Sequence, residues 1–247
     1  MAKKAVEICH LSYAYPDGTI ALQDVSLDIW EGETLGLIGS NGAGKSTLLL
    51  HLNGILMGSS PVKIGDLPVT AEHFPLIRSR VGMIFQEPDH QLFMPTVGDD
   101  VSFGPINMGM TAQNVERAVQ KALAKVDALP LRKRPSHHLS VGEKKRISIA
   151  TVLSMDPHII VLDEPSSSLD PKHRQSLIEL LNGLELTKII ASHDLALIAE
   201  TCDRVAVMAE GKICSIGDTD DILFDDLLLK KYDLLWSIPG RKAGNHG

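Results

Sequence analysis

The sequence predicts an α/β fold whose core is interrupted by a block of helices. The segment HIIVLDE, residues 158–164, is an apolar run that ends in acids, which is typical of a buried parallel strand. Strand and helix patterns alternate after this segment, whereas helical periodicity dominates the region before it. Because strands also open the chain, the order of elements places the helical block in the middle of the core.

The first part of the chain is predicted to be mostly strands. Two alternating segments are separated by the turn PDGT, and a short apolar run then enters a glycine-rich turn that leads into a helix over 46–56. The predicted strand segments are 5–15, 21–30, 33–40, 61–69 as a hairpin, and 81–85.

The second part is predicted to be helical at first and then to alternate. Residues 111–129 carry apolar side chains at helical spacing, with Thr111 as a suitable N-cap. Further predicted helices are 141–155 and 171–184, and further strands are 158–164, 187–193 and a hairpin over 204–218.

Composition limits the classes of function. The net charge of −7 and the 4% aromatic content argue against a general nucleic-acid binder, which needs a basic surface and stacking rings. The three cysteines, Cys9, Cys202 and Cys214, are widely spaced, which favours free thiols in a reducing compartment. The N-terminus lacks the apolar run of a signal peptide, and no run approaches the roughly 18 apolar residues of a membrane span. A soluble protein is expected, with any membrane contact made through a partner.

The segment GSNGAGKST, residues 39–47, fits the phosphate-loop pattern and lies between a predicted strand and a predicted helix. Glycines allow successive backbone N–H groups to point at phosphate oxygens. Lys45 is predicted to reach the β- and γ-phosphates, and Ser46 to offer its hydroxyl to Mg²⁺. The alternative, a chance glycine-rich turn, leaves the lysine, the serine and the strand–helix context unexplained.

Two acids end the apolar strand at 159–164. Asp163 is predicted to hold Mg²⁺, and Glu164 to face the attacking water of a phosphoryl transfer. Alone, such a strand end is as consistent with surface acids; the phosphate loop favours the catalytic interpretation.

The segment LSVGEKKR, residues 139–146, is predicted to start a helix. Ser140 and Gly142 precede an apolar helical pattern, and such a start offers unpaired backbone N–H groups to an anion. A simple capped helix is the alternative. The chain thus has two candidate phosphate-binding segments about a hundred residues apart.

Six motifs in one order make the chain resemble the ATP-binding-cassette (ABC) ATPases over about residues 5–220. They are GSNGAGKST, the glutamine of FQEPDHQLF, LSVGEKKR, IIVLDE, SSSLD and the histidine of IIASHD. The resemblance implies a P-loop NTPase (RecA-like) core with an N-terminal antiparallel β-subdomain and an inserted α-helical subdomain.

The resemblance also implies domain boundaries. The ABC ATPase domain is expected over residues 1–220, with the core and β-subdomain in 1–86 and 156–217 and the helical subdomain in 87–155. Residues 221–247 are expected to form a C-terminal helical segment and a loose tail.

In this family two subunits pack head to tail, with ATP between the phosphate loop of one and the signature loop of the other. By resemblance, the residues acting on the partner's ATP are Ser140, Gly142, Glu143 and Asp170. The partner is a second ABC ATPase subunit, identical or different, and each chain owns half of each ATP site.

The resemblance assigns the remaining roles residue by residue, with ATP and Mg²⁺ as the cofactors. Gln86, Glu164 and His193 are the implied catalytic residues, and Ser46, Gln86 and Asp163 the implied Mg²⁺ residues. Tyr15 resembles the aromatic that stacks on adenine, although a strand-end tyrosine is the alternative. The implied nucleotide-binding residues are Tyr15, Gly39, Ser40, Asn41, Gly42, Ala43, Gly44, Lys45, Ser46 and Thr47.

The signature departs from the commoner LSGGQ of the family. Val141 replaces a glycine, and its β-branched side chain indicates that a positive φ is not required there. Glu143 replaces a glutamine and puts an acid near the expected ribose position. SSSLD also differs from the frequent SAGLD-like run but keeps Asp170.

Residues 85–105 and 15–33 resemble the energy-coupling-factor ATPases, above all the cobalt and nickel uptake type. In that family two ATPases drive a transmembrane coupling protein and a separate substrate-binding membrane protein. Four acids in this stretch are interspersed with apolar side chains, which suggests an apolar groove with acidic edges for a basic coupling helix. An ordinary solvated acidic face is the alternative. The acids are Glu87, Asp89, Asp99 and Asp100, and the apolar residues are Leu92, Phe93, Met94 and Val97.

The C-terminal segment is too apolar for a free tail. It either packs on its own domain or forms a dimer contact, and the family resemblance favours the dimer contact. Its apolar residues are Ile222, Leu223, Phe224, Leu227, Leu228, Leu234, Leu235 and Trp236. His137 and His138 lack a cysteine or carboxylate at ligand spacing, so Mg²⁺ is the one metal predicted.

The sequence therefore predicts the ATP-hydrolysing subunit of a transition-metal importer, peripheral on the cytoplasmic face of the membrane. Cobalt and nickel are not distinguished, and a vitamin cargo stays open. A soluble, non-transport ABC ATPase of the iron–sulphur-assembly type is the alternative from a different class. No nucleic-acid partner is predicted.

Overall fold

The structure, a computed structural model, describes residues 3–58 and 62–234 of the 247-residue chain. The strands are β1 (Lys4–Ala14), β2 (Ile20–Trp30), β3 (Thr34–Ile38), β4 (Val62–Ile64), β5 (Leu67–Pro68), β6 (Val81–Ile84), β7 (Ile159–Asp163), β8 (Thr187–Ala191), β9 (Arg204–Ala209) and β10 (Lys212–Asp218). The helices are α1 (Lys45–Leu52), α2 (Phe74–Arg80), α3 (Val97–Asn107), α4 (Ala112–Lys125), α5 (Val141–Leu153), α6 (Pro171–Asn182), α7 (Leu195–Thr201), α8 (Thr219–Leu223) and α9 (Asp226–Lys231).

Two sheets organise these elements. An antiparallel sheet has the order β2–β1–β4–β5, and a six-stranded sheet has the order β10–β9–β3–β8–β7–β6. In the larger sheet β9, β3, β8, β7 and β6 pair in parallel, while β10 is antiparallel to β9 at the edge. The carboxyl ends of the parallel strands therefore meet at one edge, where ligands bind in open α/β sheets.

Strand β7 shows why the core strands are apolar throughout. Ile160 and Leu162 belong to one hydrophobic cluster, and Ile159 and Val161 belong to the other. Successive strand residues face opposite sides of a sheet, so a strand covered on both faces needs apolar residues at every position. The first cluster also contains residues of α3 to α7, and the second contains residues of α1 and of the antiparallel sheet.

Helix α5 lies close to the larger sheet. A Cβ atom at Gly82 of β6 would lie 2.0 Å from Cγ1 of Val152 of α5, so this contact requires glycine. Ile147 and Ile149, on different sides of α5, are buried as well, so the helix is covered on more than one face. The helix is thus fixed against the sheet within the first hydrophobic cluster.

The predicted α/β core with inserted helices is confirmed. Helix α1 ends at Leu52, four residues before the predicted end, because Gly54 adopts a φ of 71° that an α-helix does not allow. Helices α2, α3 and α7 were not predicted. Both α2 and α7 have seven residues, too few to show a helical period.

The predicted groove with acidic edges is wrong in several of its residues. Leu92 and Val97 are buried in the first hydrophobic cluster. Asp100 is 3% exposed, and its carboxylate accepts hydrogen bonds from the Phe93 and Met94 backbone N–H groups and from the Ser136 hydroxyl. It therefore stabilises a loop from within and is not available to a partner.

Two more of the predicted acids, Asp89 and Asp99, have contacts within the chain, whereas Glu87 is exposed as the groove requires. Asp89 forms an ion pair with Lys144 at 2.6 Å, and Asp99 accepts a hydrogen bond from the Thr96 hydroxyl at the start of α3. Glu87 and Phe93 are the exposed residues of the predicted set that have no such contact among the described residues, with Phe93 62% exposed.

The C-terminal segment divides into packed and exposed residues. Ile222, Leu223 and Leu229 are buried in the first hydrophobic cluster of their own chain. Phe224 and Leu227 are 60% and 82% exposed. Leu235 and Trp236 lie outside the described residues. The expected dimer contact thus remains a prediction for the exposed residues, while the buried ones pack on their own domain.

Substitution of Asp100 by alanine should destabilise the fold. It leaves two backbone N–H groups and a hydroxyl without their acceptor, which costs about 2–4 kcal/mol of unfolding free energy. We expect a Tm lower by about 4 °C or more in a thermal melt. The control Asp89→Ala removes only an exposed ion pair and should leave the Tm almost unchanged. Equal Tm values for the two variants would contradict this role of Asp100.

Candidate nucleotide-binding site

The phosphate loop joins β3 in the middle of the larger sheet to α1. Gly42 and Gly44 have φ values of 79° and 103°, in the region that favours glycine. A Cβ atom at Gly44 would also lie 2.7 Å from the carbonyl oxygen of Ala21. The loop is therefore tightly curled against β2, and α1 begins directly after it at Lys45. The positive end of the α1 dipole therefore lies at the loop, where it favours a bound phosphate.

Lys45 is held inside the loop. Its side chain is 6% exposed, and Nζ donates hydrogen bonds to the carbonyl oxygens of Gly39 at 2.7 Å and Ser40 at 3.2 Å. Burial lowers the pKa of Lys45, and the carboxylates of Glu164 and Asp163 oppose that shift. The ammonium and the two acids therefore belong to one electrostatic cluster.

Asp163 ends β7 and fits a metal site. It is 8% exposed, its Oδ1 atom is buried without a hydrogen-bond partner, and its side chain is hydrogen-bonded to Ser46. Burial raises the pKa of Asp163, while Ser46 and Lys45 lower it. An orphaned carboxylate oxygen beside a hydroxyl is the oxygen donor set that Mg²⁺ prefers.

Glu164 follows Asp163 and adopts a φ of 46°, which is uncommon for a residue with a side chain. Its Oε2 atom is hydrogen-bonded to His193 Nδ1 at 2.7 Å, to the His193 backbone N–H at 3.2 Å and to the Ser192 hydroxyl at 3.3 Å. The backbone N–H of Glu164 donates to the carbonyl of Ala191 at the end of β8. Neighbouring parallel strands thus bring the acid and the histidine together.

A cavity of about 690 Å³ opens at this edge of the sheet. Its lining contains all nine phosphate-loop residues 39–47 together with Tyr15, Gln86, Glu164 and His193. The structure therefore brings together the predicted catalytic residues and the predicted nucleotide-binding residues. Asp163 lies beneath the lining, in contact with Ser46.

Tyr15 is fixed at one end of the cavity. Its hydroxyl is hydrogen-bonded to the Thr47 hydroxyl at 3.0 Å, and its ring meets the Tyr13 ring edge to face at a centroid distance of 5.1 Å. A ring held in this way is suited to present a face to a planar base.

The signature segment lies outside this cavity. Ser140 caps α5: its hydroxyl accepts from the Glu143 backbone N–H, and the Glu143 carboxylate accepts from the Ser140 backbone N–H at 2.7 Å. This capping box lowers the pKa of Glu143, chiefly through the bond from the Ser140 N–H. Glu143 is therefore engaged within its own chain, beside Ser140.

Asp170 is exposed at the start of α6, and its carboxylate accepts from the backbone N–H and from the ring of His173. The same ring packs on Gly142, where a Cβ atom would lie 2.6 Å from His173. Ser140, Gly142, Glu143 and Asp170 are thus brought near one another, and none of the four lines the cavity. The chain therefore presents two separate sets of predicted phosphate-site residues.

Several lining residues were missed from the sequence. They are Thr19, Ile20 and Ala21 of the turn and strand after Tyr15, Leu195 of α7, and Asp233 and Leu234. Ile20 gave no signal in the sequence, because its 62% exposure at the start of β2 is visible only in the structure. Asp233 and Leu234 gave no signal in the sequence either, because they come from a segment over thirty residues beyond the histidine motif.

Two histidines that the sequence analysis rejected as metal ligands do not line the cavity. His137 and His138 are exposed, and their rings meet edge to face with centroids 4.2 Å apart. Across residues 3–58 and 62–234, no group of three or more histidine, cysteine or acidic side chains is arranged to hold a metal ion. Over the same ranges, no helix is long and apolar enough to cross a membrane.

Comparison with known proteins gives the family. A family model described as ABC transporter matches residues 22–167. A putative ABC transporter ATP-binding protein of Geobacter sulfurreducens is 50% identical over 230 residues, which cover 93% of this chain and 92% of that protein. The energy-coupling factor transporter ATP-binding protein EcfA of Carboxydothermus hydrogenoformans is 46% identical over 93% of this chain and 86% of its own length.

Solved structures agree. CbiO1 of Clostridium perfringens, described as part of the ABC transporter complex cbiONQ, has a TM-score of 0.82 at 36% identity and covers 94% of this chain and 95% of its own. The cassette MJ0796, described as a dimer bound to ADP and Pi, has a TM-score of 0.78 at 23% identity, covers 87% of this chain and 98% of its own, and supports the fold alone.

The protein is a nucleotide-binding α/β ATPase of the P-loop type. More particularly, the chain belongs to the ABC transporter ATP-binding family, with relatives named as energy-coupling factor ATPases.

Proposed function

We propose that this chain is the ATP-hydrolysing subunit of a membrane importer for a transition-metal ion, cobalt or nickel, and that it acts as a head-to-tail dimer with ATP between the subunits. The observation that carries the proposal is the contact of the buried Glu164 carboxylate with the exposed His193 ring, at a cavity lined by the whole phosphate loop. The metal cargo rests on the resemblance of residues 85–105 and 15–33 to cobalt and nickel uptake ATPases.

The phosphates are held by the loop between β3 and α1. Residues 39–47 line the cavity, and their free backbone N–H groups would donate to phosphate oxygens. Lys45 then exchanges its bonds to the Gly39 and Ser40 carbonyls for bonds to the phosphates. Tyr15 stacks on the adenine at the other end of the cavity.

Mg²⁺ is proposed at Ser46 and Asp163, with Gln86 completing the residues around it. The unpaired Oδ1 of Asp163 supports this assignment. When bound, the ion neutralises charge on the β- and γ-phosphates. Asp163 and Ser46 hold oxygen donors in place for it, and Lys45 supplies the neighbouring positive charge.

Glu164 orients the attacking water and takes its proton. The bond from the water oxygen to the γ-phosphorus forms as the bond from that phosphorus to the bridging oxygen of ADP breaks. His193 fixes the Glu164 carboxylate through its 2.7 Å contact, and we expect its ring to contact the γ-phosphate. The uncommon φ of Glu164 is consistent with a residue held for function.

The second half of each site comes from another subunit. Ser140 is exposed at the N-terminus of α5, Gly142 lies beneath the His173 ring, and neither residue lines the cavity of its own chain. A phosphate bound there would have to be presented by a partner, which the proposed head-to-tail dimer does. Asp170, held by His173, lies beside this surface.

Contact with the membrane components is proposed at an apolar groove of about 980 Å³ between α2, β6, α3 and α5. Phe93 and Phe103 meet edge to face at 5.1 Å and are 62% and 45% exposed. Further exposed apolar surface comes from Ile55, Leu76 and Met108. An amphipathic helix of a partner could bind this groove with its apolar face. Arg78 lines the groove, so a partner helix with an acidic rather than a basic edge is the better complement.

Replacement of Glu164 by glutamine should keep ATP binding and slow hydrolysis at least about a hundredfold, because the general base is lost while its size and position are kept. Single-turnover hydrolysis and equilibrium ATP binding measure the two effects. Turnover within a few-fold of the wild type would refute the assigned role of Glu164.

The double variant Phe93→Ala/Phe103→Ala should lose membrane association when the membrane components are co-expressed, because it removes the two largest exposed side chains of the groove. We expect at least about a tenfold drop in the protein that sediments with membranes, with ATP affinity unchanged. The control is Leu129→Ala/Ile216→Ala, which removes exposed apolar side chains outside the groove and should sediment normally. Equal sedimentation of both variants and the wild type would refute docking at this groove.

A further inference from the structure

Lys145 is a buried lysine with no role in the proposed chemistry. It lies on α5, directly after the capped turn that begins with Ser140, and its side chain is 3% exposed. Its Nζ atom donates three hydrogen bonds: to the Gln86 carbonyl at 2.6 Å, to the Ser167 hydroxyl at 3.0 Å and to the Glu164 carbonyl at 3.2 Å. An ammonium has three N–H donors, and all three are used.

The three acceptors come from three functionally distinct segments. Gln86 follows β6, Glu164 follows β7, and Ser167 lies in the loop that leads to Asp170. Each of these segments carries a proposed catalytic or interface residue. One side chain of the signature helix thus fixes the backbone beside the catalytic carboxylate, the backbone beside the proposed metal ligand and the loop before Asp170.

The electrostatics show that this arrangement is costly. Burial lowers the pKa of Lys145, and the carboxylates of Glu87, Glu164 and Asp163 oppose that shift. A buried charge of this kind adds little net stability, since well-packed apolar residues often serve as well. Its benefit therefore lies in the specific geometry that it imposes on the three segments.

We propose that Lys145 is a positioning residue that couples the two ATP sites of the dimer. This inference rests on the proposed head-to-tail arrangement. There, Ser140 and Gly142 touch the ATP held by the partner, while Lys145, one helical turn further on, holds Gln86 and Glu164 of the same chain. A shift of the signature turn toward the partner's ATP therefore moves the chain's own catalytic carboxylate.

The coupling has a defined physical route. Lys145 lies only five residues, about 1.4 turns, after Ser140, and over this length a helix is rigid, so a displacement at Ser140 reaches Lys145 almost undiminished. The hydrogen bonds of Nζ transmit it to the backbone of Gln86 and Glu164, which follow the adjacent strands β6 and β7 and line the cavity. Closure around one ATP would thus bring the carboxylate of the other site into position, which makes hydrolysis cooperative in ATP.

Lys188 provides a matched control. It is 6% exposed, and its Nζ donates to the carbonyls of Leu184 at 2.7 Å and Leu186 at 3.4 Å. Burial lowers the pKa of Lys188 as it does that of Lys145. Both lysines are buried and bonded to carbonyls, but the partners of Lys188 belong to no part of the nucleotide site.

The experiment compares Lys145→Met and Lys188→Met in the full chain. The measurements are the Tm, the affinity for ATP, kcat and the Hill coefficient for ATP. For Lys145→Met we expect ATP affinity within about threefold of the wild type, kcat at least about tenfold lower and a Hill coefficient reduced to about 1 from a higher wild-type value. Lys188→Met should lower the Tm similarly while keeping kcat and the Hill coefficient.

Ser167→Ala serves as a second, milder variant, because it removes one acceptor and should fold even if Lys145→Met does not. We expect a Hill coefficient between those of the wild type and Lys145→Met. If Ser167→Ala and every folded Lys145 variant match Lys188→Met in kcat and Hill coefficient, or if the wild type itself shows no cooperativity, the coupling role is overturned. Slow hydrolysis by Glu164→Gln would still stand in that case, so the two failures are distinguishable.

Discussion

The parallel pairing of β3, β8 and β7 is the constraint on which the site depends. It brings the end of β3, with the phosphate loop, and the end of β7, with Asp163 and Glu164, to one edge of the sheet. Strand β8, between them, delivers Ser192 and His193 to the Glu164 carboxylate. A change in strand order would separate the lysine, the acids and the histidine, whatever their sequence motifs.

The same constraint explains the electrostatics of the site. Lys45, Asp163 and Glu164 are all buried, and the pKa of Lys45 and that of Asp163 are shifted by burial and moderated by each other. Such buried charges are suited to a charged ligand and its cation, which compensate them better than water does in a site of low polarity. It keeps Asp163 with an unpaired oxygen and Lys45 bonded to carbonyls that it can release.

Much of the site could be predicted from the sequence because its residues follow directly from local motifs at strand ends. Glu164 and His193 meet because they follow β7 and β8, two buried strands that are neighbours in the sheet. Other features depend on distant contacts. Asp100 looks like a surface acid in the sequence, yet it is buried and accepts a hydrogen bond from Ser136, thirty-six residues away. Helix α3 contains Gly98, Gly104 and Pro105, which weaken any helical pattern, and tertiary packing stabilises it all the same.

Lys145 illustrates the same limit. In the sequence it is one of two adjacent lysines in a charged helix start, and nothing local distinguishes it from Lys144. The structure separates them: Lys144 pairs with Asp89 at the surface, and Lys145 turns inward to three backbone and side-chain acceptors. The register of α5 against β6, fixed by the contact of Gly82 with Val152, decides which lysine is buried.

The central claim is that one chain holds only half of each ATP site, since Ser140 and Gly142 lie outside the cavity that contains Glu164 and Lys45. The most direct test is the ATPase activity per subunit as a function of protein concentration, with the oligomeric state followed by light scattering at each point. The account predicts that activity per subunit rises with the dimer fraction and approaches zero in dilute, monomeric protein. Full activity per subunit in strictly monomeric protein would contradict it.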